Sequence, residues 1–124
     1  MVDILIIKQY RKFDEILEEL NKYDEKIGHW SWWVWPTNKK GQSEPGRKSC
    51  VKKEEIPFLL EHTDVKKWTQ ILNKINKLVE VNKSFVEIIP KIDHERIEYF
   101  FDLFLNTEIK NNKRFFKAIR KQKE

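Results

Sequence analysis

Thr63-Asp64-Val65-Lys66-Lys67-Trp68-Thr69-Gln70-Ile71-Leu72-Asn73-Lys74-Ile75-Asn76-Lys77-Leu78-Val79 is the stretch that decides the fold class of this chain. Its apolar residues, Val65, Trp68, Ile71, Leu72, Ile75, Leu78 and Val79, recur at spacings of three and four. That period lays them along one side of an α-helix and leaves lysines and amides on the other. Thr63 or Asp64 stands where a side-chain oxygen would cap the first turn. The spacing predicts a long amphipathic helix with Trp68 in the core.

The same period continues on both sides. Towards the C-terminus, Ser84 to Ile89 reads as one short turn of helix stopped by Pro90. Asp93 is positioned to cap a helix whose stripe is Ile97, Phe100, Phe101, Phe104 and Leu105. The segment Lys113 to Gln122 buries Phe115, Phe116 and Ile119. Towards the N-terminus, Glu54 to His62 forms a short helix, with Pro57 tolerated in its first turn. Residues 37–53 are polar, basic and turn-prone, with Gly41, Pro45 and Gly46, and make the longest loop and the best candidate for a mobile lid. Before them, Phe13, Ile16, Leu17, Leu20 and Ile27 mark a helix from about Ile6 to Lys26, closed by Gly28. Three glycines and four prolines are too few for a turn-rich β-sandwich. The expected fold is all-α: a compact single domain over residues 1–124 of five to six helices, with a basic C-terminal segment from about residue 110.

Composition narrows the class. A chain of 124 residues, 40% hydrophobic and 36% charged, is one globular domain rather than a disordered polymer. The abundance of Lys, Glu, Asn and Ile is common in AT-rich genomes, those of phages included, and a phage or viral source is one expectation. The lone Cys50 rules out an intramolecular disulfide, which fits a reducing compartment. The start, Met1-Val2-Asp3-Ile4-Leu5-Ile6-Ile7-Lys8, has an acid where a secretion signal needs a base, and its apolar run is too short to span a bilayer. The expected location is cytoplasmic, with no membrane partner.

Four of the five tryptophans fall in His29-Trp30-Ser31-Trp32-Trp33-Val34-Trp35-Pro36. Alternation along this run would make both sides aromatic, so it reads as an irregular or one-turn segment crossing the core. So dense a run exceeds what packing a small core requires, and indole faces stack on bases or cations. After it come Lys39, Lys40, Arg47, Lys48, Lys52 and Lys53, and a second basic cluster (Lys110, Lys113, Arg114, Lys117, Arg120, Lys121 and Lys123) closes the chain, within a net charge of +5. Such clusters suit phosphate, a nucleotide or nucleic acid. Three scattered histidines with no His-x-x-x-His or Glu-x-x-His pairing give no metal site, and isolated glycines give no phosphate loop, so no cofactor is expected.

Together, the aromatic-acidic Phe13-Asp14, the segment Gly28 to Pro36, Pro57-Phe58-Leu59-Leu60-Glu61-His62, the long helix, Ser84 to Ile88 and Asp102-Leu103-Phe104 resemble a known family. Its members are small, all-helical, mostly bacterial proteins of unknown function, sometimes mislabelled calpastatin. The hallmark His-Trp-x-Trp-x-x-x-Pro is matched by His29, Trp30, Trp32 and Pro36, and the family's Leu-x-His by Leu60 and His62. Thr37 stands where the family carries a glutamine, Asn38-Lys39-Lys40-Gly41 replaces a glycine-rich stretch, and Ile97-Glu98-Tyr99-Phe100 replaces a Ser-rich one. The resemblance implies the helical fold and no particular activity.

The functional expectation is binding, by sequestration, of a small anionic nucleotide-type ligand such as an ADP-ribose derivative or a cyclic nucleotide. Trp33 and Trp35, which the motif leaves free, would stack on the base, with Trp30 and Trp32 more deeply packed. Lys39, Lys40, Arg47 and Lys48 would neutralise phosphate, while His29 and His62 complete the pocket. His29, flanked by indoles, is expected partly desolvated, and His94 solvated on an exposed first turn. The alternatives are a hydrolase using His29 as base on a nucleotide or ADP-ribose bond, and a nucleic-acid or protein interaction module using the basic tail. The oligomeric state stays open, a homo-oligomer included.

Overall fold

The computed structural model describes residues 2–38, 50–82, 84–107 and 111–124. These form α1 (Val2–Tyr23), α2 (Ser31–Val34), a 3₁₀ turn (Lys53–Glu55), α3 (Ile56–His62), α4 (Val65–Asn82), α5 (Phe85–Ile88), a second 3₁₀ turn (Lys91–Asp93), α6 (His94–Leu105) and α7 (Lys113–Lys123). The fold is a compact all-α single domain with no strand among the described residues. Among the described residues, five of the seven α-helices are seven residues or longer, and the other two, α2 and α5, are single turns. The tryptophan run supplies one of those single turns.

α4 is the axis of the domain. Asp64 caps it: the carboxylate accepts the Lys67 N–H at 3.0 Å. Its stripe buries Trp68, Ile71, Leu72, Ile75 and Leu78. Trp68 is the hub, with ring centroids 5.9 Å from Phe13, 6.3 Å from Phe100, 5.9 Å from Phe104 and 4.7 Å from Phe115. Its indole N–H donates to the Val34 carbonyl at 2.9 Å, which ties α4 to the end of α2. On the same helix, buried Asn76 donates to the Ala118 carbonyl of α7 at 3.0 Å.

α1 begins at Val2, a turn earlier than the pattern of apolar residues suggested, and ends at Tyr23. Asp24, at φ 56°, takes the left-handed closing position expected of Gly28, and its N–H reaches the Leu20 carbonyl at 3.0 Å. Ile27 therefore lies beyond the helix and is exposed. Gly28 has a different role. The Glu19 carboxylate accepts the N–H groups of Ile27 at 3.0 Å and Gly28 at 2.8 Å, and the indole N–H of Trp30. A Cβ on Gly28 would lie 2.8 Å from Glu19 Oε1 and 3.3 Å from Trp30 Cδ1, so a side chain here would displace the carboxylate from its bonds.

Two buried polar arrangements hold the tryptophan turn against its neighbours. Gln9, fully buried on α1, donates to the Trp33 carbonyl at 2.8 Å and accepts from Thr63 Oγ1 at 2.6 Å. Asp93 precedes α6, as expected of a cap, but its side chain makes no capping bond. It pairs instead with Lys26 Nζ at 3.2 Å, both side chains being buried, and that ammonium lies 5.4 Å from the centroid of the Trp30 ring.

Candidate functional site

The packing of α2 decides what the tryptophans can do. One helical turn swings Trp30, Trp33 and Trp35 inward together. Trp30 and Trp35 stack with centroids 5.8 Å apart and planes at 28°. Trp33 is buried, and Trp35 is 0% exposed, with its indole N–H donating to Gln122 Oε1 at 2.8 Å. The expectation that Trp33 and Trp35 offer faces to a base is therefore corrected: both rings are consumed by the core. The half-buried ring is Trp32, set edge-on to Trp33 with centroids 6.0 Å apart. His29 is exposed, since the indoles that follow it turn away, so the expected desolvation of its ring is corrected as well. His62 is exposed at the end of α3, its ring centroid 4.2 Å from that of Phe58 and its carbonyl accepting from the Tyr10 hydroxyl. Lys39, Lys40, Arg47 and Lys48 lie outside the described residues, as does the part of the proposed lid from 39 to 49, while at its two ends Thr37 and Val51 are buried and the Val51 N–H donates to the Thr37 carbonyl at 3.2 Å.

Two adjoining recesses lie elsewhere, on the side of the domain formed by α4, α5, α6 and α7. The first, about 370 Å³, has a floor of Val79, Phe85, Ile97 and Phe101, with His94, Glu80, Glu98, Gln122 and Lys123 around it. The second, about 360 Å³, is a trough between α4 and α7 lined by Asn73, Lys77, Arg114 and Lys117. Asn76, Glu80 and Lys121 line both. Among the described residues, no tryptophan lines either one.

The sequence of α7 produces this arrangement. Phe115, Phe116, Ala118 and Ile119 are buried, which pins one side of the helix and leaves Arg114, Lys117 and Lys121, spaced three and four, on another. Lys77 of α4 joins that row across the trough. Among the described residues, the only carboxylate lining the trough is Glu80, at 4.0 Å from Lys121. Lys77, Arg114 and Lys117 have no ion-pair partner among the described residues. The first recess carries mixed charge, with Glu80, Glu98 and Glu124 and also Lys121 and Lys123 around its apolar floor. A cationic trough thus adjoins an aromatic recess edged by both carboxylates and lysines.

His94 enters this site against expectation. It is half-buried, its ring stands edge-on to Phe85 with centroids 5.0 Å apart, and Nε2 lies 2.9 Å from the Ile89 carbonyl. A carbonyl only accepts, so Nε2 carries a proton and donates to it. Periodicity put His94 on a first turn; it could not show that α5 would fold over it. Phe85, Lys77 and Gln122 were missed for the same reason, because their roles depend on which helices become neighbours.

Among the described residues, no group of three or more His, Cys, Asp or Glu side chains could hold a metal ion, and no helix is long and apolar enough to cross a membrane. The molecule is thus a small all-α domain with a two-part surface recess. It belongs to the family described as "Protein of unknown function (DUF1810)", whose model matches residues 2–123. None of the curated proteins and none of the solved structures compared with the chain matches it.

Proposed function

We propose that the protein binds a small nucleotide-type ligand across the two adjoining recesses, holding it rather than transforming it. The base lies in the recess floored by Phe85, Ile97 and Phe101, where Glu98 accepts from its N–H groups. The phosphates lie along Lys121, Lys117, Arg114 and Lys77. The observation that carries this reading is that the two recesses adjoin, with Asn76, Glu80 and Lys121 lining both. From Gln122 to Arg114 the helix rises about 12 Å, a span suited to an extended nucleoside polyphosphate. Volumes of about 370 and 360 Å³ also fall in the range of small-molecule sites.

The same cationic row would meet a nucleic-acid backbone. A small ligand is favoured because the cationic row adjoins an open recess floored by Val79, Phe85, Ile97 and Phe101, which suits a single base at one end of the row. Isothermal titration calorimetry with a nucleoside, a nucleoside diphosphate and inorganic pyrophosphate tests the proposal. The diphosphate should bind more tightly than either fragment. Equal affinity for pyrophosphate and the diphosphate would remove the aromatic recess from the account.

A further inference from the structure

The outer face of α1 carries a pattern unusual for solvent. At about 100° per residue, Asp3, Ile4, Tyr10 and Arg11 all fall within about 60° of Ile7 around the helix axis. The core side of α1, with Leu5, Gln9, Phe13 and Ile16, is turned nearly opposite. Yet Ile4 is 44% exposed, Ile7 50% and Tyr10 56%, and the patch extends onto α3 through Phe58 at 44%. The Tyr10 hydroxyl, bonded to the His62 carbonyl at 2.9 Å, fixes that junction. A contiguous apolar patch of this kind on a soluble domain marks an interface.

The arrangement of charge identifies the occupant. Along this face the order is acid, Ile, Ile, Tyr, base: Asp3, Ile4, Ile7, Tyr10, Arg11. It is self-complementary when the helix is laid antiparallel on its own copy. With a two-fold axis at Ile7, each residue meets the one equally far from Ile7 on the other side. Asp3 then faces Arg11, Ile4 faces Tyr10, and Ile7 faces Ile7. Both ends of the apolar strip close with opposite charges, and every contact is made twice, as a two-fold interface requires. Asp14, about 20° from Ile7 around the axis and beyond Arg11 along it, is already engaged by Lys67 of the same chain. We infer that the chain self-associates through α1 as an antiparallel two-fold dimer centred on Ile7.

Sedimentation velocity over a concentration series, with light scattering for mass, tests this on the full chain. The wild type should dimerise reversibly. Ile7→Asp should be monomeric, with the circular dichroism and melting temperature of a folded protein. Asp3→Arg and Arg11→Asp should each weaken association several-fold, because each places like charges opposite one another. The double variant D3R/R11D should restore it, and this arm leaves the core untouched should Ile7→Asp fail to fold. A wild-type chain that stays monomeric, bare or carrying another protein, overturns the inference. So does a dimer that survives Ile7→Asp, or a double variant weaker than both singles.

Discussion

The indole N–H of Trp35 donates to the side-chain oxygen of Gln122 at 2.8 Å, joining the tryptophan turn to the last helix across 87 residues of sequence. An indole only donates, so this bond also sets which end of the Gln122 amide faces Trp35. Trp35→Phe keeps an aromatic ring, removes the donor and shrinks a fully buried side chain, leaving the half-buried Gln122 acceptor without its partner. The expected loss is about 1–3 kcal/mol in urea unfolding. A loss no larger than that of a neutral surface change would show that the bond contributes nothing.

The Trp68 hub gives a larger effect. Trp68→Ala removes a ring packed against Phe13, Phe100, Phe104 and Phe115, and should cost about 3–5 kcal/mol. Trp68→Phe should cost less but still orphan the Val34 carbonyl. Equilibrium denaturation of the two variants checks the order.

Gly28 and Glu19 should behave as one unit. Gly28→Ala pushes a methyl group into the Glu19 carboxylate and should destabilise by about 1–2 kcal/mol. In a Glu19→Ala background the same change should cost less, because the nearer obstruction is gone and only the Trp30 Cδ1 contact at 3.3 Å remains. Additive losses in that double-mutant cycle would show that the two residues act separately.

Lys67 supplies a pH test. Its ammonium donates to Asp14, whose carboxylate raises the lysine pKa above its ordinary value; Asp64 adds to this in the same direction. A raised lysine pKa contributes stability that is complete below the unfolded value and is lost as pH rises through the folded one. The pair therefore acts between α1 and α4 up to alkaline pH. NMR titration of the Lys67 side chain should show its midpoint falling towards the ordinary lysine value in Asp14→Asn.

The helices were legible in the sequence because burial imposes a period. Val65 to Leu78, Ile97 to Phe104 and Phe115 to Ile119 all pack as their spacing predicts. The closing residue of α1 was not legible: Asp24 and Gly28 both suit a helix end, and only the bonds to Glu19 separate them. Nor was the direction of each indole, since within a single turn neither a period of two nor of 3.6 can be resolved. The paired recesses depend on α4, α5, α6 and α7 meeting, which is a tertiary fact. The basic row of α7 was visible in the sequence as composition, but Lys77 across the trough was not.

The central claim is that one ligand spans the aromatic recess and the cationic trough. Calorimetric titration of a nucleoside diphosphate into the wild type and into Arg114→Glu/Lys117→Glu tests it most directly. Both residues are exposed, so the variant should melt as the wild type does. The account predicts saturable one-to-one binding by the wild type, weakened about tenfold or more by the double reversal, a loss of at least about 1.4 kcal/mol. It also predicts only shallow salt dependence, since a diphosphate neutralises few charges. No binding by the wild type at millimolar ligand, or equal affinity in the variant, would contradict it.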